Sequence, residues 1–418
     1  MKKTALFLFL FITISSKASY ILIPMDLQQK NHLKAYGVTF WCLKSIGIEA
    51  DWLLNYRGGS FAVKYAKEIE TECSIRGVSY EVIADAQYGG ILQEIANPEV
   101  NMELVKLEKA PRIAVYSPKS MQPWDDAVTM VLTYAEIPYD LVYDDEVLDE
   151  KLAKYDWLHL HHEDFTGQYG KFYASYNQME WYKNQVAYLE EIAKRRGFTK
   201  VSQLKLAVAQ KIKTFVGGGG FMFAMCSATD SYDIALDAQH TDICSEMFDY
   251  DPQDPAAQSK LDYSQGFAFE NYQLRTNPFE YEYSNIDANF GRQVQKDLDY
   301  FNLFEFSAKW DQVPTMLTQC HTKVVKGFMG QTTAFNKSFI KKEVLILGQN
   351  KAAGEARYIH GQYGKGMWTF YGGHDPEDYQ HLVGDPKTDL NLHPTSPGYR
   401  LILNNVLFPA AKKKKQKT

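Results

Sequence analysis

A cysteine set between small residues at the end of an apolar run is the feature of this 418-residue chain best suited to covalent chemistry. The run Phe221-Met222-Phe223-Ala224-Met225 leads into Cys226-Ser227-Ala228-Thr229-Asp230, a pattern that predicts a strand turning sharply into a helix. Ala224 and Ala228 stand two residues to either side of Cys226, where a tight elbow leaves no room for bulk. At such an elbow the backbone amides near Ser227 face the sulfur, lower its pKa and serve as oxyanion donors. The usual elbow has glycines at these two places, and cysteine is also among the most buried residues, so simple packing is the competing reading.

Two further groups of residues belong with it. The first is a glycine turn at Gly364, a strand from Gly366, and Gly372-Gly373-His374-Asp375-Pro376-Glu377 at the strand's carboxyl end. His374 there is a candidate general base, with Asp375 or Glu377 orienting the ring and Gly373 among the substrate-binding positions. Helix capping by His374 is the alternative. The second group is Trp157-Leu158-His159-Leu160-His161-His162-Glu163-Asp164, a strand running into a loop. Alternation puts His159 and His161 on one face and crowds His161, His162 and Glu163 at the carboxyl end. They can orient a substrate beside Cys226, bind a metal, or form structural hydrogen bonds. No spacing is diagnostic of a metal, so the sequence assigns no metal ligand and identifies no cofactor. Gly217 to Gly220 lacks a following Lys-Ser/Thr pair and precedes a strand, so it is not a phosphate loop.

The elements that must carry these residues form two α/β series. Residues 19–109 alternate strands at Tyr20–Pro24, Asp51–Tyr56 and Tyr80–Ala84 with helical patterns near Gln29–Ser45 and Val63–Arg76. That rhythm predicts a small parallel sheet, with Asp26 and Arg57 at strand ends where ligands bind. Arg57 is the candidate substrate contact from this unit. A second series over residues 110–409 starts at Arg112–Tyr116, then runs through a helix from Asp125 to Glu136, strands at Tyr139–Tyr143 and Trp157–His161, and a long helix Asn177–Gly197. An aromatic insertion near 251–299 interrupts it with Phe267, Phe269, Tyr272, Phe279, Tyr281 and Tyr283. Such rings suit a carbohydrate or another small molecule, or they staple the loop to the domain.

Lys2 and Lys3 precede the ten-residue apolar run Ala5–Ile14 and the polar stretch Ser15-Ser16-Lys17-Ala18, which predicts a signal peptide over residues 1–18. The run is half the roughly 20 residues a membrane span requires, so no transmembrane span is expected after its removal and the protein is expected to be exported, periplasmic or secreted. A net charge of −6 without a basic stripe argues against nucleic acid as a partner. The basic tail over residues 410–418, with Lys412 to Lys415 and Lys417, predicts a solvated end. Five cysteines, without a CxxC pair, leave at least one thiol free within the chain.

The segment Gly366 to Asp375, with Tyr399-Arg400-Leu401-Ile402-Leu403-Asn404-Asn405 after it, resembles the C-terminal signature of ThuA-like proteins in the class I glutamine amidotransferase-like superfamily. The elbow around Cys226 fits the same superfamily. The resemblance implies an α/β protein whose larger part is a flavodoxin-like three-layer domain with a parallel sheet, preceded by a smaller α/β unit. It also implies that Cys226 and His374 lie close together at the sheet edge. Active amidotransferases carry glutamate two residues after the histidine, whereas this chain has Pro376 there and Glu377 one further on. ThuA-like members commonly lack the cysteine, so family likeness alone does not predict glutamine hydrolysis.

Three functions are therefore expected to compete: a Cys-dependent hydrolase or amidotransferase-like enzyme acting on an amide or related substrate, a non-catalytic envelope module binding carbohydrate or peptide, and a metal-dependent hydrolase built on His161, His162 and Glu163. Asparagine synthetase B activity is a fourth alternative that the residues do not support. It needs a cysteine at position 2, where this chain has Lys2, and an SGGxDS loop that is absent.

Overall fold

The computed structural model describes residues 18–118, 123–289, 292–380 and 382–412. The expected signal peptide, apart from Ala18, and the tail beyond Lys412 lie outside the described residues. The protein is α/β with two sheets that divide between Leu107 and Ile113.

The first sheet holds β1 (Ala18–Ile23), β2 (Ala50–Leu54), β3 (Ser60–Lys64), β4 (Glu81–Ala84) and β5 (Glu103–Leu107) in the order β4-β1-β3-β2-β5. All four pairings are antiparallel, which corrects the parallel sheet expected from the sequence. The reason is the connection after β2. Asn55, Arg57, Gly58 and Gly59 all have positive φ, so the chain reverses within five residues and returns at once as β3. A parallel neighbour would have needed a crossover of a dozen residues or more. β3 escaped detection because Ser60, Phe61, Ala62 and Val63 are all buried, leaving no alternation to read.

The second sheet begins with β6 (Ile113–Tyr116), β7 (Asp140–Val142), β8 (Trp157–Leu160) and β9 (Phe221–Met225). It continues with β10 (Tyr300–Leu303), β11 (Val324–Lys326), β12 (Phe335–Asn336), β13 (Leu345–Asn350), β14 (Glu355–Tyr363) and β15 (Gly366–Tyr371). The order is β11-β10-β13-β14-β15-β9-β8-β6-β7, with β12 paired to β14. The five strands from β15 to β7 are parallel and the rest antiparallel, so the sheet is mixed. The strands β13, β14 and β15 form an antiparallel meander. β14 and β15 are joined across Gly364, whose φ is +58°.

Alternate residues of the parallel strands face two separate cores. Ile113, Val115, Trp157, Phe223 and Met225 pack with the helices Ala127–Tyr134 and Pro397–Leu407, and that same core runs on through helix His32–Trp41 to Trp52, Phe61 and Val63 of the first sheet. Ala114, Tyr116, Leu158, Leu160 and Ala224 face the helices Glu180–Arg195, Val201–Gly218 and Asp230–Asp237. The two sheets thus share one apolar interior. Two of the four consecutive glycines close the helix Val201–Gly218, and Gly219 caps it with φ +119°, a conformation that costs glycine little.

The aromatic insertion has no strand and no helix longer than four residues among its described residues. Its backbone is held by side chains instead of a ladder. Buried Asp237 accepts from the amide of Gly266, and buried Asp233 from those of Phe267, Ala268 and Phe269, at 2.6–3.1 Å. Phe267, Phe269, Tyr272 and Tyr283 are buried and part of the core, while Phe279 and Tyr281 are exposed. No described helix is long and apolar enough to cross a membrane.

Candidate active site

The carboxyl ends of β6, β8, β9 and β15 converge, and the candidate site lies there, where open parallel sheets place their ligands. β9 stops at Met225 and the chain turns through Cys226–Ala228 into the helix Asp230–Asp237. Cys226 itself has φ +54°, the left-handed region that a non-glycine residue enters at a cost of about 1–3 kcal/mol. The cost is met by the close-packed elbow that the small flanking residues permit. The sulfur is buried, with Cys226 only 3% exposed, and accepts a hydrogen bond from the Gln331 amide at 3.3 Å. The Ser227 amide also stabilises its ionised form. Ala228 N–H is not available as an oxyanion donor, because it donates to the His161 carbonyl at 2.9 Å.

His374 follows β15 by three residues and is hydrogen-bonded to Cys226. The carboxylate facing its ring is Asp125, with Oδ1 3.6 Å from His374 Nε2. This corrects the expectation of Asp375 or Glu377. Asp375 accepts from Tyr399 OH at 2.8 Å, Thr388 Oγ1 at 2.6 Å and the Glu377 amide at 2.9 Å, so it ties the loop to the helix Pro397–Leu407. Glu377 pairs with His393 at 3.2 Å. Asp125 lies in the connection that follows β6 and stands two residues before the helix Ala127–Tyr134. Its sequence signal was only that position, because Asp126 next to it is the N-cap and the two acids look alike in the chain.

Burial works against ionising Cys226, but hydrogen bonding to His374, the charge of that ring, and the amides of Gln331 and Ser227 outweigh it and hold the thiol below its usual pKa. Burial likewise opposes a charge on His374, and Asp125 and Cys226 reverse that, raising it to about 10. The two shifts run in the direction of a thiolate–imidazolium pair.

His161 and His162 are brought beside His374, with ring centroids 4.5 and 5.8 Å from it. Nitrogens of the three rings lie within 4.8 Å of one another. Burial, with the charge of His374 adding to it, pulls His161 down to about 4 and His162 well below its usual value, so both are neutral. Asp126 Oδ2 lies 3.3 Å from both His159 and His161. Glu163 faces elsewhere, accepting from Tyr143 OH at 3.1 Å in a buried network with Lys205 and Asp144. Burial pushes Glu163 up to about 7 even though Lys205 opposes it. Arg57 is not brought to Cys226 either. Its guanidinium is engaged by Asp26, Glu81 and Gln28 in the first unit.

Gly373 and Gly330 fix the spacing between His374 and the 329–333 segment. Gly373 has φ +101°, and a Cβ there would lie 2.4 Å from the Phe328 ring, while one on Gly330 would lie 2.7 Å from His374 N. Gly373→Ala is therefore expected to cost about 2 kcal/mol or more and to slow Cys226 alkylation by displacing His374, checked by urea unfolding and labelling kinetics. The same segment was not singled out in the sequence. Gln331 Nε2 bonds the Gly170 and Tyr281 carbonyls at 2.6 and 3.1 Å, so it joins the elbow to the aromatic insertion.

The chain matches no protein-family model and no curated protein. Among solved structures it is similar to two cytoplasmic proteins of Salmonella typhimurium, at 9% and 12% identity and TM-scores of 0.35. Each likeness covers 72% of this chain and the whole of the other. A third is to a GH42 β-galactosidase, at 10% identity and TM-score 0.25 over 64% of this chain and 28% of that one. At these scores the functional reading rests on the chain's own residues.

Proposed function

We propose that the protein is an exported Cys-dependent hydrolase of the class I glutamine amidotransferase-like type, acting on an amide or related acyl substrate from a flavodoxin-like, three-layer domain. The observation that carries it is the left-handed Cys226 at the end of β9, with His374 drawn to it from the end of β15 and Asp125 from the connection after β6. In this reading the Cys226 thiolate attacks the acyl carbon, forming a C–S bond while the carbonyl oxygen takes the negative charge. The Ser227 and Gln331 amides, which already face the sulfur, are the nearest donors to that oxygen. His374 gives its proton to the departing amine as the C–N bond breaks, then takes one from the water that hydrolyses the thioester. Asp125 keeps the ring oriented and stabilises its charge.

The test is the pH profile of iodoacetamide labelling, read at each cysteine by mass spectrometry. Because the thiol is lowered and His374 raised to about 10, labelling of Cys226 is expected to set in at a lower pH than that of an ordinary thiol. Cys42 and Cys73, pushed up to about 12 chiefly by burial, are expected to stay silent throughout. A Cys226 as silent as these two sinks the reading.

A second reading is favoured by the three converging histidines: a zinc ion held by His161, His162 and His374. It excludes the first, since His374 cannot be both imidazolium and ligand. Stoichiometric zinc in the purified protein, lost with His162→Ala, would select it.

A further inference from the structure

We propose that the buried carboxylates of Asp230 and Asp287 form a subsite beside Cys226 for a primary ammonium group of the substrate. The inference deepens the cysteine-hydrolase reading and rests on it. Three consecutive residues tie the subsite to the nucleophile. The Gln331 amide donates to Cys226 Sγ at 3.3 Å, Thr332 Oγ1 to Asp230 Oδ1 at 2.8 Å, and the Thr333 amide to Asp287 Oδ1 at 3.3 Å. In both carboxylates the bonds fall on Oδ1, which also accepts from the Ser231 amide in Asp230 and the Asn289 amide in Asp287. Oδ2 of each is buried with no hydrogen-bond partner.

Hydroxyl and amide oxygens around them are in the same condition. Tyr283 OH, Gln331 Oε1 and Ser227 Oγ belong to residues no more than 4% exposed, and none has a partner. The Tyr283 hydroxyl lies within reach of the charges of Asp230 and Cys226, and that of Tyr281 within reach of Cys226 and Asp287. These unpartnered oxygens thus belong to residues bonded to the 331–333 segment or within electrostatic reach of the sulfur. An ammonium ion carries three donors and one charge, which is what such a set of acceptors takes.

By contrast, several acids elsewhere in the fold are paired with a cation. Asp144 has Lys205 at 3.0 Å, and Asp299 has Arg357 at 2.7 Å and Arg292 at 2.8 Å. Asp242 and Asp249 share Lys200. Among the described residues no lysine or arginine pairs with Asp230 or Asp287. Burial accordingly raises Asp230 to about 7 and Asp287 well above its usual range, a penalty on their charge that an arriving cation would offset. Tyr281 is 41% exposed, and burial of its hydroxyl together with the charge of Cys226 raises the phenol above its usual pKa.

The experiment compares three small alkylators on the full protein: cationic 2-bromoethylamine, neutral iodoacetamide and anionic iodoacetate. Each rate at Cys226 is divided by the same reagent's rate with glutathione. The cation is expected to exceed iodoacetamide on the order of tenfold or more, with iodoacetate slowest. Asp287→Asn and Asp230→Asn, each checked for native folding by thermal melting, are expected to bring the cation-to-neutral ratio to about one. If Cys226 reacts with iodoacetamide but shows no preference for the cation, or the preference survives both substitutions, the subsite is overturned and the nucleophile stands. A Cys226 inert to all three reagents overturns the nucleophile and the subsite with it.

Discussion

His374→Gln is expected to slow iodoacetamide labelling of Cys226 at pH 7 by about a hundredfold or more. The size follows from two opposed effects on one sulfur. Burial alone drives a thiol upward, as Cys42 and Cys73 demonstrate at about 12. Cys226 is at least as buried, and it lies below the ordinary value of 9.0 because His374 is hydrogen-bonded to it and positively charged. Glutamine keeps a hydrogen bond but removes the charge, leaving burial to dominate, and each unit of rise costs a factor of ten in thiolate at pH 7. Against a true substrate the same change is expected to lower kcat/KM by roughly 10²–10⁴, the usual worth of a general acid–base. Equal labelling rates in the two proteins would mean that His374 does not ionise Cys226.

The pair also leaves a mark on stability. His374 has a folded pKa of about 10, above its ordinary value of 6.5. The stabilisation it contributes is therefore present in full below about pH 6.5 and lost as pH rises through about 10. The gap in urea midpoint between the wild type and His374→Gln is expected to narrow over that range.

What the chain revealed in advance was whatever local patterning controls. The elbow at Cys226 was legible because it depends on small residues at fixed offsets and on a strand-to-helix change, all contained in ten residues. His374 was legible as the polar end of an apolar strand. Asp125 was not, because its role is set by β6 and β15 ending on the same side of the sheet, more than two hundred residues apart in sequence. Asp375 looked better placed only because it is adjacent, and adjacency in an extended loop aims neighbouring side chains apart. The antiparallel first sheet failed for a related reason. Strand direction depends on the connection, and a five-residue reversal built from Asn55, Arg57, Gly58 and Gly59 resembles a functional loop when read as composition. The histidines at 159–162 were read as one cluster. The fold divides them from Glu163, which turns toward Lys205, while His161 and His162 turn toward His374.

Arg400→Leu is expected to cost about 3–5 kcal/mol. Arg400 sits on the helix Pro397–Leu407, which packs under the parallel strands, yet its side chain serves the other sheet. Its guanidinium donates to the Met25 carbonyl at 2.9 Å, to the Gly58 carbonyl, and to Tyr36 OH at 3.2 Å, with no exposure to solvent. Tyr36 OH in turn donates to Asn404, one turn further along the same helix. Leucine is apolar enough for the site but leaves the Gly58 carbonyl and the Tyr36 hydroxyl oxygen without the arginine's donors, each a penalty of about 1–3 kcal/mol, while the Met25 carbonyl keeps only His32. The Gly58 carbonyl belongs to the reversal that makes the first sheet antiparallel, so the same arginine holds that turn against the second unit. Urea unfolding followed by far-UV circular dichroism measures the loss. A cost below about 1 kcal/mol would mean that the shared apolar interior alone joins the two sheets, with the polar clamp adding nothing.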